Sequence, residues 1–81
     1  MDNQKIADLL EEIGNILEIQ GANRFRVLAY QKATQNIRNL ARELKDIYQK
    51  DPKGLEEIPG IGKDLAAKIA ELISTGKCEY H

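Results

Sequence analysis

Apolar residues in the first twenty positions recur at spacings of three and four, the period of one face of an α-helix. They are Ile6, Leu9, Leu10, Ile13, Ile16 and Leu17, and the acidic residues Asp8, Glu11, Glu12 and Glu18 fall on other faces. This pattern predicts an amphipathic helix over residues 3–19. Gly21 is expected to end it, because glycine accepts the left-handed conformation common after a helix C-terminus.

Three further segments carry the helical period, and no segment alternates like a β-strand. We predict helices from 24 or 25 to 38, over about 41–49 and over about 63–74, the last one stopped by Gly76. Their inward residues are expected to be Ala29, Ala33, Ile37 and Leu40, then Leu44, Ile47 and Tyr48, then Leu65, Ile69, Leu72 and Ile73. The chain is therefore expected to be one all-α domain over 1–81, a compact bundle of four to five short helices.

The string Ile58-Pro59-Gly60-Ile61-Gly62 precedes the last helix, and Asp51-Pro52-Lys53-Gly54 breaks the chain before it. Proline and two glycines so close together predict a tight turn. The first N–H groups of the following helix lack partners inside it, and its dipole favours an anion there. The pattern predicts a helix-hairpin-helix unit over about 54–75 with a phosphate-sized socket at Gly60–Gly62. A connector without any ligand is the alternative.

Two other glycine motifs do not fit this string. The dinucleotide-binding fingerprint needs a third glycine three residues after Gly62 and a preceding strand, but Leu65 stands there and the flank is helical. The P-loop needs four residues between its glycines, followed by lysine and serine or threonine. Here one residue separates the glycines, and Lys63-Asp64 follows.

The composition points to a small cytoplasmic protein. No run of about eighteen apolar residues is present, so no membrane-spanning helix is predicted. Met1–Gln4 lacks the basic start of a secretory signal. The lone Cys78 fits a reducing compartment, and neither it nor His81 has partners at metal-ligand spacing.

The net charge of −1 conceals an uneven distribution. Residues 1–20 carry a net charge of −4, residues 21–45 carry +5, and residues 46–81 carry −2. Such a domain can present one basic face to a phosphate partner, because the local field matters more than the total. The weak overall charge predicts modest affinity with moderate salt dependence.

Three segments together resemble the N-terminal domain of family X DNA polymerases, with the bacterial and archaeal members as the closest match. They are Gly21-Ala22-Asn23-Arg24-Phe25-Arg26-Val27-Leu28-Ala29-Tyr30-Gln31-Lys32-Ala33, Ile58–Gly62, and Ala66-Ala67-Lys68-Ile69. The same region corresponds to the small lyase domain of DNA polymerase beta. The resemblance covers essentially the whole chain, from the acidic first helix to Thr75-Gly76-Lys77. It implies a domain that binds the 5′-phosphate side of a short gap in duplex DNA.

The resemblance also implies individual roles. Phe25 and Arg26 match positions that contact the gap-edge base and the phosphate, and Tyr30 and Lys32 match residues lining the 5′-phosphate pocket. Together with the basic run and the socket, the expected DNA-binding residues are Arg24, Phe25, Arg26, Tyr30, Lys32, Gly60, Gly62 and Lys63. Lys68 falls at the position of the lysine that forms a Schiff base with an abasic sugar.

A monovalent cation is implied at the hairpin, either Na⁺ or K⁺. Its ligands would be the backbone carbonyls of Glu56, Ile58 and Ile61. The small glycines would allow close approach of the backbone to phosphate.

The chain departs from the family pattern in ways that weaken a phosphate site. Vertebrate members place a lysine four residues before the Schiff-base position, where this chain has Asp64, and another pocket lysine is replaced by Tyr80. The polymerase palm with its metal-binding aspartates is absent from these 81 residues. The abrupt end at Cys78–His81 favours a domain excised from a longer polymerase over a free-standing relative.

Several candidate residues have an ordinary structural interpretation as well. The basic run is a solvated face or a DNA-binding one; it comprises Arg24, Arg26, Lys32, Arg38, Arg42 and Lys45. Phe25 is a core residue or, if exposed beside Arg26, a base-stacking one. Tyr30 is a core residue or a pocket residue.

Lys68 lies at the edge of the buried stripe of its helix, with its stem partly buried. Partial burial favours the neutral amine that imine chemistry requires. Asp64 and Glu71, four residues before and three after, favour the ammonium form instead. Lys68 is therefore a nucleophile or an ordinary lysine in helix ion pairs.

These observations predict a monomeric DNA-binding domain that docks on the 5′-phosphate side of gapped or nicked DNA in base-excision or gap-filling repair. One alternative is an abasic-site (deoxyribose-phosphate) lyase acting through Lys68. The other is a helical protein-interaction domain whose hairpin is purely structural.

Overall fold

A computed structural model describes residues 1–75, and in that range it contains helices and no strand. The helices are α1 (Asn3–Ile19), α2 (Arg24–Arg38), α3 (Leu44–Lys50), a 3₁₀ helix (Pro52–Glu57) and α4 (Lys63–Thr75). The prediction of an all-α bundle of four to five short helices is confirmed. The predicted helix stop at Gly76, and also Cys78, Tyr80 and His81, lie outside the described residues. No helix within residues 1–75 is long and apolar enough to cross a bilayer.

Both ends of α1 are capped, and the cap at Gly21 is the one that the sequence predicts. The Asp2 carboxylate accepts a hydrogen bond of 2.9 Å from the backbone N–H of Lys5, which would otherwise lack a partner. Gly21 adopts φ 75° after the last turn, and the N–H of Ala22 donates to the carbonyl of Leu17 at 2.9 Å. This is the Schellman arrangement, which ends the helix and turns the chain back into α2.

Helices α1 and α2 pack closely against each other and form most of the core. Gly14 permits this approach, because a Cβ atom there would lie 3.3 Å from the Cβ of Tyr30. The fully buried large side chains are Ile6, Leu10, Ile13, Ile37, Leu44, Leu55, Ile69 and Leu72. All the elements thus contribute to one core.

Most of the predicted inward residues are buried. Five are only partly buried: Ile16, Ala29, Leu40, Tyr48 and Ile73. Leu40 is the clearest case, since α2 ends at Arg38 and Leu40 lies in the following loop. Periodicity identified the buried face of each helix. It did not show which residues at the border of that face are only partly covered.

Arg38 ties the end of α2 to α1. Its guanidinium contacts Asp8 at 2.8 Å, Glu11 at 2.7 Å and the side-chain oxygen of Gln4 at 2.9 Å. The hydrogen bond to Asp8, followed by the one to Glu11, raises the pKa of Arg38 above its ordinary value. The sequence analysis included Arg38 in the basic run. In the structure its guanidinium instead forms ion pairs with two carboxylates of α1.

The predicted helix over 41–49 begins later, at Leu44. Asn3, which is 5% exposed, accepts a 2.7 Å hydrogen bond from the N–H of Leu44 and donates a 2.6 Å bond to the carbonyl of Arg42. Asn3 therefore caps α3 from a different helix and holds the preceding loop out of helical conformation. No local pattern near residue 41 indicates this, because the partner lies about forty residues away in the chain.

The segment Asp51–Gly54, which the sequence predicts only as a break between helices, contains the start of a further helix. Pro52 begins a 3₁₀ helix that runs to Glu57, and the carboxylate of Asp51 accepts a 3.1 Å bond from the N–H of Lys53. Pro is well suited to the first position of a helix, where its missing N–H is not needed. The first helix of the hairpin unit is thus a short 3₁₀ helix that starts before residue 54.

Replacing Asn3 with alanine should destabilise the fold, because it leaves the N–H of Leu44 and the carbonyl of Arg42 without their partner. We expect a loss of about 2 kcal/mol in the free energy of unfolding and a fall of roughly 10 °C in the melting temperature. Thermal unfolding followed by circular dichroism measures this. The exposed Asn15→Ala on the same helix is the control, and equal effects of the two changes would contradict the capping role.

Candidate nucleic-acid interface

The hairpin is a tight turn whose geometry follows from its residues. The N–H of Ile61 donates to the carbonyl of Ile58 at 3.0 Å, and Gly60 adopts φ 83°. Proline at the second position and a positive-φ glycine at the third are the requirements of a type II turn. The prediction that this string forms a tight glycine turn is confirmed.

Asn36 of α2 binds this turn directly. Its side-chain Nδ2 donates to the carbonyl of Pro59 at 2.9 Å. The same nitrogen would lie 2.6 Å from a Cβ atom at Gly60, so a side chain there would displace the Asn36 amide as well as strain the positive φ. Sequence reasoning missed Asn36, because nothing in the local sequence shows that a polar residue in the last turn of α2 binds a carbonyl 23 residues further along the chain.

Helix α4 begins directly after the turn. The carbonyl of Gly62 accepts a 2.9 Å hydrogen bond from the N–H of Ala66, which makes Gly62 the residue that opens the helix. Gly62 has no side chain to cap the first N–H groups, and a Cβ atom there would meet nothing within 4 Å. The N-terminus of α4 therefore faces open space, as a phosphate socket requires.

A cleft of about 740 Å³ separates α2 from the hairpin and α4. It is lined by Phe25, Arg26, Ala29, Tyr30, Gly60, Gly62, Lys63, Asp64, Leu65, Ala67 and Lys68. The fold thus brings two distant segments, the motif of α2 and the hairpin, to opposite walls of one cavity.

A family model described as a helix-hairpin-helix domain matches residues 1–78. This range includes the turn, α4 and the whole of the bundle before them. The chain is a member of the helix-hairpin-helix domain family. Members of this family bind DNA in general. A search of curated proteins found no match to the chain.

The cleft between α2 and the hairpin, called the helix-hairpin-helix cleft from here on, carries an excess of positive charge. Arg26, Lys63 and Lys68 line it together with one acid, Asp64. Asp64 lies in the first turn of α4, where its carboxylate competes with a bound anion for the helix dipole. The cleft suits an anion, but Asp64 reduces its attraction for one.

The two aromatic candidates occupy different positions on the helix-hairpin-helix cleft. Phe25 is 82% exposed, although phenylalanine is more often a core residue. It lies at the cleft beside Arg26, which meets the requirement for stacking on a base. Tyr30 is 5% exposed, so it is a core residue that also forms part of the cleft wall. The core interpretation of Tyr30 is confirmed, and its role in a phosphate pocket stays a prediction.

Two predicted DNA-binding residues do not line this cleft. Arg24 borders a separate depression together with Glu18 and Ala22. Lys32 borders a groove on another side of α2, which it shares with Phe25 and Leu28. Residues 24 and 32 are two and six positions from Arg26, and such spacings place residues on different faces of a helix.

Lys68 lies inside the cleft and is largely covered, with a side chain that is 18% exposed. Its Nζ lies 3.3 Å from the Oε2 of Glu71. Coverage of the stem agrees with the position predicted for Lys68 at the edge of the buried stripe. The contact with Glu71 is the helix ion pair expected in the alternative interpretation of Lys68.

The carbonyls predicted to hold a monovalent cation belong to the helix-hairpin-helix turn and the residues before it. Peptide carbonyls are neutral oxygen ligands suited to hard cations. The carbonyl of Ile58 already accepts the N–H of Ile61 and keeps a second lone pair. The donor set at Glu56, Ile58 and Ile61 thus fits such an ion, and the site stays a prediction. Within residues 1–75 no cluster of three or more His, Cys, Asp or Glu residues is placed to hold a metal.

The two hairpin glycines should respond differently to substitution. Gly60→Ala combines a positive φ with a Cβ atom that displaces Asn36, so we expect a loss of about 2 kcal/mol in the free energy of unfolding. Gly62→Ala meets open space without positive φ and should change stability by less than about 1 kcal/mol. Urea unfolding of both variants measures the difference. Equal losses would show that the turn geometry described here is wrong.

Proposed function

We propose that this chain is the DNA-binding domain of a family X, beta-like DNA polymerase. It would dock on the 5′-phosphate side of gapped or nicked DNA during base-excision or gap-filling repair. The observation that carries this proposal is the shared cleft, which is lined by Gly60 and Gly62 of the hairpin together with Phe25 and Arg26 of α2. Such a domain would act as a monomer where the chromosome is, in the cytoplasm or nucleoid of a prokaryote.

In this proposal the 5′-phosphate lies at the open N-terminus of α4. Its oxygens accept hydrogen bonds from the first backbone N–H groups of the helix, and Gly62 lets them approach closely. Arg26 and Lys63 add charge from the two walls of the cleft, and Arg26 is suited to bidentate contact with phosphate. All of these contacts are to the DNA backbone, so binding would not depend on base sequence.

Phe25 supplies the preference for a gap. An exposed phenylalanine cannot stack on a base that is already inside a continuous duplex, but it can cover the last base beside a gap. The monovalent cation, held by the carbonyls of Glu56, Ile58 and Ile61, would supply positive charge between the hairpin and a DNA phosphate. Asp64 offsets part of the attraction, so we expect modest affinity.

The domain should bind gapped DNA with a 5′-phosphate more tightly than the same DNA without it. The affinity should fall as salt rises, because phosphate contacts release counterions. Fluorescence-anisotropy titrations at several salt concentrations measure both effects. Equal affinity for the two DNAs would refute the docking role, and no affinity for either would favour a protein-interaction domain.

Arg26 and Arg24 form a matched pair for locating the interface, since each is an exposed arginine at the start of α2. Removing a charged hydrogen bond to phosphate costs about 1.5–3 kcal/mol, so Arg26→Ala should weaken binding by roughly 10- to 100-fold. Arg24→Ala removes the same charge outside the cleft and should have a much smaller effect. Gly62→Val should reduce affinity while circular dichroism shows a folded domain.

Lyase activity is a second candidate, because Lys68 lies in the same cleft as the socket. Its Nζ would attack the aldehyde carbon of an opened abasic sugar, and loss of water would give an imine. Loss of a proton from C2′ would then break the C3′–O bond and release the phosphorylated strand end. The contact between Lys68 and Glu71 disfavours the neutral amine, so this activity should be slow.

Borohydride reduction in the presence of abasic DNA should trap a covalent adduct if Lys68 acts in this way. The variant Lys68→Ala should lose most of the adduct and keep most of its affinity for gapped DNA. Glu71→Gln should increase the rate of adduct formation, because it removes the carboxylate that holds the ammonium form. Absence of adduct from the unmodified domain would leave a binding module only.

A further inference from the structure

We infer that Asn36 is a positioning residue that fixes the hairpin turn against α2 and so sets the geometry of the phosphate socket. Two observations carry this inference. The Nδ2 atom donates to the carbonyl of Pro59 at 2.9 Å. That atom also occupies the space beside Gly60, where a Cβ atom would approach it to 2.6 Å.

The bond orients the peptide group at the centre of the turn. In a type II turn the carbonyl of the second residue, here Pro59, points away from the bond that closes the turn, and rotation of this peptide converts type II into type I. The Nδ2 of Asn36 donates to that carbonyl and so stabilises the orientation seen in the structure. It therefore selects the conformation in which Gly60 has φ 83°.

Asn36 also sets the spacing between the two walls of the cleft. It lies ten residues after Arg26 on α2, about 15 Å along the helix axis. The hairpin is thus held at one part of α2 while the cleft opens beside an earlier part that carries Phe25 and Arg26. The hydrogen bond between Asn36 and Pro59 thus fixes where the backbone of Gly60–Gly62 lies relative to the part of α2 that carries Arg26.

The turn itself supplies a test without DNA. Asn36→Ala should change the amide chemical shifts of Gly60, Ile61 and Gly62 and speed their hydrogen exchange, while the core amides of α1 keep theirs. Asn39→Ala is the matched control, since Asn39 donates only to the carbonyl of Gln35 in its own helix. Unchanged shifts and exchange at the hairpin in Asn36→Ala would overturn the inference.

A double-mutant cycle tests the direct contact. Gly60→Ala should lower the melting temperature less in the Asn36→Ala background than in the unmodified domain, because the clash with the amide is absent and only the positive φ opposes alanine. Melting-temperature losses that simply add would show that the two residues do not meet.

The effect on phosphate recognition rests on the proposed function. At a temperature where all variants are folded, Asn36→Ala should reduce the preference for a 5′-phosphate by roughly 3- to 10-fold, the loss expected for one hydrogen bond. Asn39→Ala should leave the preference unchanged. If the unmodified domain shows no preference for a 5′-phosphate, the docking role fails. The amide chemical shifts of the hairpin then still decide whether Asn36 positions the turn. If the preference exists and survives Asn36→Ala, the positioning role fails.

Discussion

The close approach of α1 and α2 at Gly14 is the constraint on which the other features depend. Without a side chain at Gly14, the Cβ of Tyr30 can lie against α1, and Tyr30 becomes 5% exposed. One side of α2 is thereby committed to the core, and the side that carries Phe25 and Arg26 is turned outward toward the cleft. Arg38 reinforces this orientation through Asp8 and Glu11. These contacts also neutralise part of the acidic α1, which leaves the basic wall of the cleft as the favourable side for an anion.

The hairpin is attached to this pair through side chains and through the core. Asn36 holds the turn at Pro59, and Ile61, which is 3% exposed, anchors it from inside. The result is a short stretch of exposed backbone on a rigid support. A phosphate group can be bound only through its charge and its oxygen atoms. Binding by backbone N–H groups is therefore stronger when those groups already point toward the phosphate.

The positive charge of Arg26, Lys63 and Lys68 is partly offset by nearby acids, which bears on the choice between binding and catalysis. Asp64 at the start of α4 and Glu71 beside Lys68 both oppose a strongly basic pocket. A binding role tolerates this, because backbone N–H groups and Arg26 remain available to phosphate. A lyase role depends on the neutral form of Lys68, which Glu71 disfavours. The arrangement therefore supports docking on DNA more directly than chemistry on an abasic sugar.

The sequence by itself determined α1, α2, α4 and the hairpin turn, because each depends on local chemistry. The period of apolar residues located α1, α2 and α4, and the requirement for positive φ located Gly21 and Gly60. Tertiary structure alone decided the start of α3, the exposure of Phe25, the separation of Arg24 and Lys32 from the cleft, and the pairing of Arg38. These depend on contacts between residues distant in the chain, such as Asn3 with Leu44 and Asn36 with Pro59. An asparagine within a helix does not show in the sequence which distant carbonyl or N–H it will meet, since that follows only once the helices are packed.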